Sequence, residues 1–120
     1  MKYLLMIYGN QELWDSFPAD EWPKAIAAQD AFNKKFAATG ELLGAYGLAD
    51  AAASKLVQVR DGVVNVTDGP YLETKEYMAS FYLLDCADEQ RAVEIAAEMP
   101  FAVERCVELW PVPHEAAKDA

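Results

Sequence analysis

The stretch Lys2-Tyr-Leu-Leu-Met-Ile-Tyr8 is apolar in both of its alternating phases, with Tyr3, Leu5 and Ile7 on one and Leu4, Met6 and Tyr8 on the other. Side chains alternate across a strand, so such a run needs cover on both faces of its sheet and reads as a central strand. Ala79-Ser-Phe-Tyr-Leu-Leu-Asp85 repeats the pattern, through Phe81 and Leu83 and through Tyr82 and Leu84, and is read as the second central strand.

Working outward, Trp22, Ala25, Ala28, Phe32 and Phe36 recur at helical spacing. They predict the buried stripe of a first helix that begins between Asp20 and Pro23 and ends at Thr39, with Gly40 as its C′ residue. Residues 9–19 read as a polar connection whose Trp14 and Phe17 cap the core. Residues 41–48 read as a strand and 49–53 as a small-residue loop. Lys55-Leu-Val-Gln-Val-Arg60 and Val63-Val-Asn-Val-Thr67 flank Asp61-Gly62, a two-residue loop of the type I′ hairpin. That turn pairs Val59 with Val64, Val57 with Val66 and Gln58 with Asn65, and predicts a half-buried hairpin. A second helix starts after Asp88 as N-cap, buries Ala92, Ile95, Ala96 and Met99, and stops at Pro100. Residues 104–112 read as the last strand, Val107 and Leu109 facing one way and Cys106 and Trp110 the other.

The order is β-α-β, hairpin, β-α-β: an α+β chain of the split βαβ, ferredoxin-like arrangement with an inserted β-hairpin, its antiparallel sheet carrying two helices on one face. Two helices cover one face only, yet the central strands are apolar on both. The expected cover for the other face is a second copy of the chain, making a homodimer packed sheet to sheet.

With 120 residues the chain has the size of one domain, expected over residues 1–113 with 114–120 as a disordered tail. A formal net charge of −10 disfavours nucleic acid and an anionic membrane surface as partners. The first apolar run is shorter than a signal-peptide core, and no run approaches the length of a membrane span. Cys86 and Cys106 lack zinc spacing and read as two buried thiols of a cytoplasmic protein; neither a metal nor a cofactor is expected.

Asp68-Gly-Pro-Tyr-Leu-Glu-Thr-Lys-Glu76 concentrates constraint and polar chemistry in nine residues. Pro70 fixes its own φ and restricts Gly69, so a sharp corner is expected there. Asp68 reads either as a carboxylate holding the turn or as a general base with Glu73 beside it. Thr74 and Lys75 offer a hydroxyl and a point charge to an anionic or carbonyl group, or else form a solvated loop with Glu73 or Glu76. Tyr46, Tyr71 and Ser80, with Tyr82, offer rings with hydroxyl handles to a cleft beside the corner.

Several of these segments together resemble the YCII-related proteins and, within them, the DGPF-domain subgroup. The likeness is carried by the opening Lys-Tyr-Leu-Leu-Met-Ile-Tyr-Gly, by Val59-Arg-Asp-Gly62, by Thr67-Asp-Gly-Pro-Tyr-Leu-Glu-Thr-Lys-Glu76, by Ser80-Phe-Tyr-Leu-Leu-Asp-Cys86 and by the closing Val107-Glu-Leu-Trp-Pro-Val112. Tyr71 stands where the subgroup has Phe. The resemblance implies a dimeric α+β barrel. It also implies a regulatory setting, since some DGPF proteins are encoded beside extracytoplasmic-function sigma factors. Enzyme-like members of the wider family carry a His on the first helix paired with an Asp; the nearest position here is Gln29, which has no useful pKa.

Three functions follow as expectations. The first is a small homodimer that binds a compact, partly polar or aromatic molecule in a cleft between the first helix and the sheet, with the Asp68 corner at its rim. The second is a lyase- or isomerase-like enzyme using Asp68 or Glu73 for proton transfer. The third is a protein-binding accessory of transcription.

Overall fold

The structure, a computed structural model, describes residues 1–69 and 76–116. In chain order it contains β1 (Lys2–Gly9), α1 (Gln11–Ser16), α2 (Trp22–Ala38), β2 (Leu42–Gly47), β3 (Lys55–Arg60), β4 (Val63–Asp68), β5 (Tyr77–Asp85), α3 (Glu89–Ala97), α4 (Pro100–Glu104) and β6 (Glu108–Pro111), with 3-10 turns at Ala19–Glu21 and Ala51–Ala53. The fold is α+β, with a four-stranded antiparallel sheet in the order β2-β5-β1-β6 and a separate two-stranded hairpin of β3 and β4. Leaving the hairpin aside, this is the ferredoxin-like strand order, with β1 and β5 at the centre.

The register divides the sheet into two faces. Tyr3 opposes Leu84 and Leu5 opposes Tyr82, and all four are buried beneath Phe32 and Phe36 of α2 and Ala92, Ile95 and Ala96 of α3. Met99, directly before α4, completes this core. On the other face Leu4 opposes Leu83 and Met6 opposes Phe81, while Tyr46 stacks on Phe81 with ring centroids 5.0 Å apart. Among the described residues no helix covers that face; the molecule is 20 Å thick along its shortest axis, enough for one helix layer on one sheet layer. Trp110, paired with Leu4, is 56% exposed there.

Residues 9–19 are more than a polar connection. The Asn10 side chain accepts the Leu13 N–H at 2.7 Å and thereby caps α1, a cap that the polar run Gly9-Asn-Gln-Glu12 conceals. The second helix, α3, already ends at Ala97, short of the expected stop at Pro100, and Pro100 instead begins α4, since a residue without an N–H costs nothing in its first turn. The last strand is consequently shorter than expected, and Cys106 lies outside it and exposed; only Cys86 is buried, and both thiols are free.

The hairpin has the expected pairing, with Val59 opposite Val64, Val57 opposite Val66 and Gln58 opposite Asn65. Positive φ at Asp61 (50°) and Gly62 (78°) is the backbone of a type I′ turn. Its burial differs from the expectation. Val57, Val59, Val64 and Val66 line one side of the ribbon and are 58% to 65% exposed, because the hairpin stands off the main sheet instead of packing on it. Residues 117–120 of the expected tail lie outside the described residues; Glu115, just before them, pairs with Lys2 at 2.6 Å. Among the described residues no helix is long and apolar enough to cross a membrane.

Candidate functional site

Along its length α2 changes what it sets against the sheet. In its later turns Phe32 and Phe36 fill the core, their rings 5.0 Å apart. Its first turns carry Ala25 and Ala28 on the same stripe, and these methyl groups leave the space above the sheet open. A cavity of about 410 Å³ results, bounded by α2, by Ile7 of β1, by Ala79, Ser80 and Tyr82 of β5, and by Pro100 and Phe101 of α4.

Of the five rings that line it, four form two pairs. Phe17 and Trp22 have centroids 4.5 Å apart, tilted by 44°; Trp14 and Phe101 lie 6.4 Å apart, tilted by 45°. Trp14 is seated against Gly9, where an added Cβ would overlap the indole, so the glycine of β1 makes room for the wall. Trp14 and Trp22 also border a neighbouring cavity of about 320 Å³, beneath Leu48, Asp50 and Tyr77.

Polar groups in the main cavity are few. The Ser80 and Tyr82 hydroxyls share a hydrogen bond of 3.2 Å. Burial pushes the Tyr82 phenol up from its usual range, the Ser80 bond opposing, so the ring keeps its proton at neutral pH. Gln29 donates its amide to Asn33 Oδ1 at 3.0 Å, which leaves its carbonyl oxygen to accept from a ligand. Glu21, Lys24 and Glu104 supply charge, Lys24 lying 3.6 Å from Glu21. Among the described residues no charged side chain is buried, and no group of three acidic, His or Cys side chains is arranged to hold a metal.

Of the residues singled out from sequence, the structure brings Gln29 and Ser80 together at this cavity, with Tyr82. Tyr46 lies on the opposite face of the sheet, against Phe81. Asp68 ends β4 at the foot of the hairpin, where Lys55 Nζ meets its carboxylate at 2.6 Å; the side chain is exposed and does not line the cavity. Tyr71, Glu73, Thr74 and Lys75 lie outside the described residues. Trp14, Phe17 and Trp22 read from sequence as core, yet Trp22 is 39% exposed and all three border open space. The available signal was two alanines beside large rings on one helical stripe.

The comparisons agree with this architecture. A protein of Rhizobium meliloti (strain 1021), described as uncharacterized, is 27% identical over 99 residues, covering 82% of this chain and 80% of that protein. The model of the YCII-related domain matches residues 1–114. With the match spanning nearly the whole sequence, the chain belongs to the YCII-related domain family.

Proposed function

We propose that this protein is a homodimeric binding protein for a compact, mostly apolar or aromatic molecule carrying few polar groups, held between α2, α4 and β5. The observation that carries the reading is the cavity itself: about 410 Å³, within the range of small-molecule sites, apolar in most of its lining and furnished with a few convergent polar groups. Gln29 and Ser80 serve as orienting contacts.

Two exposed apolar surfaces support the dimer. One is the helix-free face of the main sheet; the other is the valine side of the hairpin, a two-stranded unit of a kind that is marginal when it stands alone. A second copy supplies both covers at once. The Thr67–Glu76 block supports placement in the DGPF-domain subgroup, and the two free thiols support a reducing, cytoplasmic setting.

The test is ligand-observed NMR with a panel of small aromatic and alkyl molecules, run on the wild type and on Ala25→Phe. Filling the cavity should abolish binding while circular dichroism stays unchanged. Equal binding by both proteins contradicts the proposal.

A further inference from the structure

We infer that the cavity is selective for organic cations, an alkylated ammonium being the group it suits. This inference rests on the cavity's being a binding site and names the class of molecule it takes.

The first support is the walls. An aromatic face carries the negative part of the ring quadrupole, and a cation within about 6 Å of a ring centroid is attracted to it, most strongly by Trp. Two indoles, two phenyl rings and one phenol line this single space, and the Phe17–Trp22 and Trp14–Phe101 pairs are tilted, not stacked flat together. An alkylated ammonium offers a large apolar surface with a diffuse positive charge and asks for no hydrogen-bond acceptor, which suits such walls.

The second support is the balance of donors and charge. The Trp14 N–H is committed to Tyr77 at 3.0 Å, Gln29 donates one amide hydrogen to Asn33, and Ser80 and Tyr82 bond each other, so the remaining donors of the described lining are the Trp22 N–H, the second Gln29 N–H and the Lys24 ammonium, which lies 3.6 Å from Glu21. Among the described residues no arginine lines the cavity. An anion entering it would lose its hydration with few donors to replace it. Among the described residues the ionic groups of the lining are Glu21, Glu104 and Lys24, and Lys24 lies beside Glu21, so their sum is negative. The whole chain, at −10, biases encounters in the same direction.

The experiment uses isosteric probes on the full-length chain, followed by tryptophan fluorescence at low ionic strength. Choline is compared with 3,3-dimethyl-1-butanol, which replaces the quaternary nitrogen by carbon, and with the anion 3,3-dimethylbutanoate; benzyl alcohol serves as the neutral aromatic control. Choline should bind at least fivefold more tightly than the alcohol, and the anion should bind least. Glu104→Gln and Glu21→Gln alter exposed or half-exposed side chains without changing shape, and each should shrink the choline-to-alcohol ratio severalfold. If the alcohol binds as well as choline, or if neither variant moves the ratio, cation selectivity is overturned and the binding site stands. If benzyl alcohol and choline both fail to bind, the binding site itself falls and the selectivity with it.

Discussion

The indole Nε1 of Trp14 donates to the phenol oxygen of Tyr77 at 3.0 Å, tying α1 to the first residue of β5. This bond and the bare backbone at Gly9 hold one wall of the cavity. Gly9→Ala inserts a methyl where the indole lies and should cost about 1–3 kcal/mol, as overpacking does. Tyr77→Phe removes only the acceptor and should cost about 1 kcal/mol. Urea unfolding measures both, and a red shift of tryptophan emission in Gly9→Ala would report the displaced ring.

Glu41 receives two hydrogen bonds from Arg91, from Nε at 2.8 Å and Nη2 at 2.9 Å, joining the start of β2 to α3. These bonds hold the Glu41 carboxyl below its ordinary 4.5, against the opposing effect of burial. A carboxylate whose folded pKa is lowered gives its full stabilisation above the unfolded value and loses it as pH falls through the folded one. Wild type should therefore lose stability on acidification below pH 4.5, and Glu41→Gln should show a flatter melting-temperature profile there and a lower melting temperature at pH 7. Equal slopes in the two proteins would remove this pair from the acid response.

The uncovered sheet face gives a test of assembly. Leu83 pairs with Leu4 on that face, away from the helices. Wild type should sediment at twice 13.3 kDa, and Leu83→Arg should sediment as the single chain with its circular dichroism retained. A wild-type monomer at micromolar concentration, or a dimeric Leu83→Arg, would show that this face does not join two copies.

The hairpin should behave as an arm whose order depends on a neighbour. Among the described residues its strands pair only with each other, and four valines face outward on one side. Amide exchange over β3 and β4 should be slow in concentrated protein and quicken on dilution, while β1 and β5 stay protected throughout. Protection independent of concentration would show that the hairpin needs no second copy.

What the sequence made legible follows from how local each feature is. The hairpin register could be read from Asp61-Gly62 alone, because the turn sets the pairing. The central strands were legible in Lys2–Tyr8 and Ala79–Asp85 because double-sided apolarity leaves them no other position. The cavity was hidden. Trp22, Ala25, Ala28, Phe32 and Phe36 share one helical period, and a period does not distinguish a filled stripe from one whose small members leave a gap. Phe101 and Glu104 were missed because Pro100 reads as an end and in fact opens α4. The stand-off of the hairpin depends on tertiary placement, which Val57 and Val59 do not encode by themselves.

The three tryptophans allow the most direct test of the binding site, since Trp14 and Trp22 line the cavity and Trp110 lies on the far face of the sheet. With 5-fluorotryptophan incorporated and each resonance assigned by a Trp→Phe variant, benzyl alcohol is titrated at constant protein concentration and followed by fluorine NMR. The Trp14 and Trp22 resonances should shift saturably with Trp110 unmoved. A shift confined to Trp110, or none at saturating probe, would contradict the binding site.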